Sequence, residues 1–228
     1  MKKTIVFIAA QLCILASIFF NSCALIELEE EQVTAVDMHL DRDSIYVEVG
    51  DQFTITPVFD PDTITLSDIY WEISAPEVVN FYYTHFAAES EGWATIRAIS
   101  VSQQQEDSCH VCVLPRFDDV NLTFPYETVI YAKVSVKGQE FNPETMRVLA
   151  YVGNDLGGFG EMKEQHGVKY MVIRAGSEMF DEENVIPETV TLYLYNKKEH
   201  SLTLFKSYIE FDGESHGNPI NPIELTIK

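Results

Sequence analysis

The feature that most constrains this chain is a period of two. Val36, Met38 and Leu40 alternate with Asp37, His39 and Asp41. Ile45, Val47 and Val49 alternate with Tyr46 and Glu48, Gly50-Asp51 turns the chain, and Phe53 and Ile55 resume the pattern. It returns at Ala94, Ile96 and Ala98 in "GWATIRAIS", and at Cys109, Val111 and Val113 in "CHVCV". Later it runs through Ala132, Val134 and Val136, then Met146, Val148, Ala150 and Val152. Successive side chains of a strand point to opposite faces, so this alternation predicts half-buried antiparallel strands. "YWEIS" reads as a central strand carrying Trp71, and further strands are expected at residues 168–174, at 190–195, around Leu202 and Leu204, and around Ile209 and Phe211. Helical periodicity is weak, with one helical turn expected near residues 160–165. Short strands separated by turn signals predict an all-β chain of sandwiches.

Size and composition fit this reading. The chain has 228 residues, 46% of them hydrophobic, enough for two domains of roughly 100 residues with packed cores. The net charge of −21 repels nucleic acid and anionic headgroups, which argues against a nucleic-acid partner. Of four cysteines, only Cys109 and Cys112 lie in the body of the chain, too few for a disulfide framework.

The N-terminus has a different character. Lys2 and Lys3 precede a stretch from Thr4 to Phe20 that is apolar apart from Thr4, Gln11 and Ser17. This is the charged start and apolar run of a secretory signal, short for a transmembrane helix. It ends in Phe20-Asn21-Ser22-Cys23, and the acids Glu27, Glu29, Glu30 and Glu31 follow. A small residue before a cysteine at this place resembles the bacterial lipobox, although Phe20 and Asn21 depart from its commoner form. The resemblance implies cleavage after residue 22 and acylation of Cys23. Several acyl chains, at about 0.8 kcal/mol per buried CH₂, hold a protein stably on a membrane. The alternatives are a plain secreted protein cut nearby and an N-terminal membrane anchor. Acids soon after the cysteine resemble the surface-export signals of Bacteroidetes lipoproteins, which points to the outer face of the outer membrane.

The expected organisation is a signal peptide at 1–22, a lipidated tether at 23–33, a first module at 34–115 and a second at 116–228. In the first, "SIYVEVGDQFTITPVFDP", "YWEIS", "GWATIRAI" and "SCHVCVLP" resemble, in order and spacing, a bacterial immunoglobulin-like group 2 domain. The resemblance implies an immunoglobulin-like sandwich acting as a spacer or adhesive unit without an active site. The segment "APEVVNFYYTHFAAESEG" departs from it, for the family usually has a short hairpin with a small polar turn there. In the second, "AKVSVKG", "LAYVGNDLGG", "VKYMVIRAG", "VTLYLYN" and "IEFDGESHGNPINPIEL" resemble another β-module of Bacteroidetes surface proteins, one with no known activity.

Candidate sites are few. Phe81, Tyr82, Tyr83, His85 and Phe86 in the departing segment are candidate ligand-binding residues, because sugars stack on aromatic rings; the competing expectation is that they cap the sandwich as core. Cys109 and Cys112 have the spacing of a metal or redox pair. On a strand, however, residues three apart face opposite ways, with Cα atoms about 10 Å apart. Cys109 is therefore expected in the core, and Cys112, with His110, facing outward. "GNDLGGFG" lacks the Lys-Ser/Thr ending of a phosphate loop and reads as a Gly-rich strand connection. Asp60-Pro61-Asp62 and Asp181-Glu182-Glu183 read as surface turns rather than Ca²⁺ loops. Asp43-Ser44-Ile45 and Asp62-Thr63-Ile64 resemble a short O-glycosylation motif. No catalytic residue, metal or cofactor is assigned. The expected function is a non-enzymatic cell-surface lipoprotein serving as an adhesive, spacer or binding module. The alternative is a glycan-binding accessory lipoprotein of a polysaccharide-uptake system, using residues 81–86 or the loops around 153–160.

Overall fold

The computed structural model describes residues 37–60, 69–101, 104–118, 122–137, 139–178, 189–205 and 208–227. Cys23 with the signal and tether segments, residues 61–64 of the expected surface turn and O-glycosylation motif, and the acids at 181–183 lie outside the described residues. Every regular element among the described residues is a strand, so the chain is all-β.

The first half holds β1 (Asp37–Leu40), β2 (Ser44–Glu48), β3 (Gln52–Phe53), β4 (Pro57–Asp60), β5 (Ile69–Ile73), β6 (Val79–Tyr82), β7 (His85–Ala88), β8 (Gly92–Ser100) and β9 (Gln105–Leu114). One sheet runs β2-β9-β8-β5, with β2 parallel to β9 and the other pairs antiparallel. A second runs β3-β7-β6, and β1 pairs with β4. The period of two decides what is buried: Ile45, Val47, Ala94, Ile96, Ala98, Cys109 and Val111 are all within 3% of full burial. Trp71 on β5 meets Phe86 on β7 edge to face at 5.1 Å, which ties the two sheets together. Trp71 does not sit on a central strand as expected. Among the described residues β5 is the last strand of its sheet, and the ring is half-buried because it turns inward from that edge.

The second half holds β10 (Tyr126–Val136), β11 (Gln139–Glu140), β12 (Met146–Val152), β13 (Asp155–Gln165), β14 (Val168–Ser177), β15 (Thr189–Asn196), β16 (Ser201–Leu204), β17 (Ile209–Glu210), β18 (Ser215–His216) and β19 (Ile223–Ile227). Strand order is β11-β10-β14-β13-β12-β15-β16, and β18 and β19 run parallel to β10. Its core comes from Ile130, Ala132, Val148, Ala150, Met171, Ile173, Leu192 and Leu225, none more than 1% exposed. The strand β13 changes partners midway. Its first part pairs with β12 as far as Leu149↔Phe159, and its second pairs with β14 from Gly160↔Ile173 onward. The expected helical turn at 160–165 is thus a strand, because these residues join an antiparallel ladder with β14.

Gly157, Gly158 and Gly160 of "GNDLGGFG", expected in a connection between strands, lie within β13 instead and make that change of sheet possible. A Cβ on Gly158 would stand 1.8 Å from the Arg174 carbonyl oxygen, and one on Gly157 would stand 2.5 Å from that of Gly176. Register also slips between Ala150 and Tyr151, as at a bulge. Glycine in a strand marks such bends and close backbone approaches.

Residues 37–228 form one compact unit, and the two halves meet on a second apolar cluster. It holds Cys112 and Leu114 of β9, Phe117 of the connection, Leu149 of β12 and Tyr195 of β15. Tyr46, Tyr151, Leu156, Phe159 and Leu202 pack around it. Contrary to the outward position expected from the strand pattern, Cys112 does not face solvent; it is 6% exposed because β12 and β15 cover that face of β9. The backbone joins in: the Tyr46 amide donates to the His200 carbonyl at 2.9 Å, linking β2 to the β15–β16 turn.

Candidate functional site

The departing segment of the first half folds as a hairpin. Strands β6 and β7 pair Phe81 with Phe86 and Tyr82 with His85 around a turn at Tyr83-Thr84. Paired residues share a face, so the hairpin has an aromatic face on each side. Phe81 and Phe86 lie 4.9 Å apart and join Trp71 and Phe53 in one ring cluster. Phe86 is 1% exposed and belongs to the core. On the opposite face Tyr82 and His85 stack at 6.1 Å, and the Tyr82 hydroxyl donates to Glu89 at 2.8 Å. The five residues are thus divided: Phe86 buried, Phe81 and His85 half-buried, and Tyr82 and Tyr83 exposed.

Tyr83 is the unusual member. Its ring is 96% exposed, and its backbone has φ +56°. The left-handed region disfavours a bulky side chain, and hairpin turns of this length ordinarily place Asn or Gly there. The ring cluster of Phe81, Phe86 and Trp71 holds the turn in place against that preference.

Concavities flank the tip on both sides. One, of about 480 Å³, is lined by Ile55, Pro57, Ile69, Trp71, Phe81, Tyr83 and Phe86, with Thr54, Thr56 and Thr84. The other, of about 470 Å³, is lined by Arg42, Gln52, Phe53, Thr54, Thr84, His85 and His200. Thr54 and Thr84 line both, so the hairpin tip is the wall between them. The second concavity needs both halves of the molecule, since His200 comes from the β15–β16 turn. Burial lowers the pKa of His200, and the Arg42 charge pushes it down further, against the opposing charge of Asp51.

Sequence reasoning missed Arg42 and His200. No local pattern relates positions 158 residues apart, and His200 ends the unremarkable turn "NKKEH". It missed Glu48 as well. That carboxylate reads as the wet side of β2 but is 2% exposed under the second half, where Lys197 approaches it at 3.4 Å.

The cysteines hold a different chemistry from the one their spacing suggests. Both are free, and burial raises the Cys109 thiol to about 12 and the Cys112 thiol to about 11. A thiol that far from ionising is a poor nucleophile and a poor metal ligand. Among the described residues no group of three or more His, Cys, Asp or Glu side chains is placed to hold a metal ion.

On the second half, Gly158 and Phe159 line a concavity of about 840 Å³ with Tyr131, Tyr170, Glu127, Glu161, Lys163 and Arg174. The two tyrosines lie 6.0 Å apart. Here charges answer one another, Arg174 pairing with Glu127 at 2.9 Å.

No known protein family and no curated protein matches the chain. Solved structures do. PcdhgB3 EC1-4 matches at 10% identity and a TM-score of 0.29, over 85% of this chain and 50% of that one. Domains 4–9 of the surface layer protein SbsC match at 12% identity and 0.28, over 79% and 31%. The SGBP-B protein of the Bacteroides ovatus mixed-linkage glucan utilization locus, in complex with a mixed-linkage heptasaccharide, matches at 12% and 0.25, over 76% and 47%. The chain spans half or less of each of the three. Similarity at this level goes no further than the all-β class.

Proposed function

We propose that this chain is a non-enzymatic lipoprotein of the bacterial outer membrane, anchored through acyl chains on Cys23, whose two β-sandwich modules present a binding site at the cell surface. One observation carries the binding role. Tyr83 is almost fully exposed on a backbone conformation that disfavours it, at the edge of the 480 Å³ concavity. Strain of this kind persists where a rigid surround maintains it, and it gathers at ligand-contacting positions. A flat ring with hydroxyl groups of Thr54, Thr56 and Thr84 lining the same concavity suits a saccharide, whose apolar face stacks while its rim hydrogen-bonds. The glycan-binding reading is therefore preferred to a plain spacer.

A glycan array probed with the full chain, and with the Tyr83→Ala variant, tests this. Retention of one glycan class by the parent and its loss in the variant is the expected result. Equal binding by both would remove the hairpin from the site, and binding to no glycan would leave the spacer role. The anchor is tested separately: Cys23→Ala should abolish acyl labelling and membrane retention, and continued retention would refute lipidation there.

A further inference from the structure

The 840 Å³ concavity of the second half opens on the side of its sheet away from the core. Its floor is the outer face of β10, β14 and the later part of β13, where Tyr131, Val172 and Arg174 alternate with the core residues Ile130, Ala132, Met171 and Ile173. Register sets the lining groups side by side. Tyr131, Val172 and Glu161 form one row across the three strands, and Tyr170 and Lys163 are neighbours in the next. Strands β10 and β14 are hydrogen-bonded on both sides, so a ligand on this floor meets side chains and not free backbone.

Two features of the lining define what fits. The first is charge. The protein carries −21, yet the charged groups among the described residues lining this concavity are two acids and two bases. They are paired, Arg174 with Glu127 at 2.9 Å and Lys163 with Glu161 at 2.6 Å. All four can be reached from solvent, with side-chain exposure of 24% for Glu127 and 51–64% for the others. Neither contact uses up the acceptors of a carboxylate or the donors of a cation. A ligand of either net charge is opposed by half of this set. A hydroxyl both donates and accepts, so it can bridge a pair without breaking it. The second feature is ring surface. Half-buried Tyr131 lies 6.0 Å from Tyr170, with the rings tilted by 44°, and such a ring takes the apolar face of a sugar. The volume falls within the range of about 300–1,000 Å³ usual for ligand sites.

We propose that this concavity is a second saccharide site, specific for an uncharged oligosaccharide. Tyr131 is its stacking ring, and the pairs Glu127–Arg174 and Glu161–Lys163 are the hydrogen-bonding partners of the sugar hydroxyls. This inference rests on the glycan reading above for its class of ligand and on none of the hairpin residues.

The test is a calorimetric titration of the full chain with neutral oligosaccharides of β-glucan, xylan, mannan and α-glucan, beside acidic oligogalacturonate and cationic oligomeric chitosan. The expected result is binding of at least one neutral probe, with both charged probes at least about tenfold weaker and little change with salt, since the ligand brings no net charge. Tyr131→Ala should weaken this binding about tenfold or more and Lys163→Met about threefold or more, whereas Tyr83→Ala should retain it. The Lys163 side chain is exposed, so its replacement tests the site even if Tyr131→Ala lowers Tm. If Tyr83→Ala abolishes all binding and the two groove variants change nothing, this site is overturned while the glycan reading stands. If the groove variants abolish all binding and Tyr83→Ala changes nothing, this site stands and the hairpin is removed from the function. A charged probe that binds as tightly as the neutral ones, and is lost in Tyr131→Ala, overturns the uncharged ligand class. Binding of no saccharide overturns the proposal together with the glycan reading.

Discussion

Strands β8 and β12 look alike in sequence and differ in the structure. Both alternate small or branched apolar residues with larger ones. On β8, Ala94, Ile96 and Ala98 are buried, while Trp93 is 63% exposed on the other side. On β12, Val148, Ala150 and Val152 fill the core of the second half, and Leu149 on the opposite side is fully buried as well. The difference lies in what covers the second face. Solvent meets that side of β8, whereas β9 and Phe117 of the first half meet that side of β12. Alternation says which residues share a face; it does not say whether that face is wet.

The largest test of this contrast removes a side chain from each second face. Leu149→Ala should cost about 2–5 kcal/mol, as deletions in a packed interior do. Trp93→Ala should cost under about 1.5 kcal/mol, since it loses only a partly exposed ring and its 6.2 Å contact with Tyr46. Urea unfolding of the two variants measures both. Equal costs would mean that the junction does not behave as core.

Next in size is the ion pair at the junction. The Glu48 side chain is 2% exposed and Lys197 is 43% exposed, so removing the lysine strands a buried carboxylate beside a partly solvated partner. Lys197→Ala should lower stability by about 1–3 kcal/mol, below the range for a fully buried pair. The double variant Lys197→Ala, Glu48→Gln should recover most of the loss, because the amide carries no charge. A double variant no better than the single one would show that packing of the lysine stem, and not its charge, holds the junction.

The pH dependence probes both sides of β9 together. Burial raises the Cys109 thiol from 9 to about 12 and the Cys112 thiol from 9 to about 11. Tyr151, at the junction, rises from 10 to about 12 by burial, with smaller contributions from Cys112, Tyr193 and Tyr46. In each case the fold holds the neutral form. The stabilisation is complete below the unfolded pKa and is lost as pH climbs through the folded value. Tm should therefore be flat with respect to these groups up to about pH 9 and fall between about pH 9 and 12. Cys112→Ala should flatten the early part of that fall, and an unaltered profile would mean that the junction admits water to the thiol.

The smallest effect is expected at the hairpin tip. Tyr83→Asn should leave stability unchanged or raise it by about 0.5–1 kcal/mol, since Asn accepts the left-handed backbone more readily. The same change should weaken glycan binding. A marked loss of stability would show that Tyr83 belongs to the structure of the tip and not to its ligand surface.

Legibility in the sequence followed the range of the interactions involved. Strand identity was legible because the period of two is local: nearly every expected strand is present, and Met38, Ile45, Ile96, Cys109 and Ala132 are buried as their alternation predicts. Residues 160–165 were misread because their pairing partner, β14, enters only after the turn at 166–167. The aromatic run at 81–86 was legible as a candidate, but its division into core Phe86 and exposed Tyr83 depends on which hairpin face meets Trp71.

By itself, then, the sequence determined the all-β class and the apolar face of most strands. These follow from backbone geometry and side-chain alternation within a few residues. The tertiary structure alone decided that Cys112, Glu48 and Leu149 lie buried between the halves, and that Arg42 and His200 share one concavity. Burial of a second face and convergence of distant residues depend on contacts across tens to more than a hundred positions, and no local pattern encodes them.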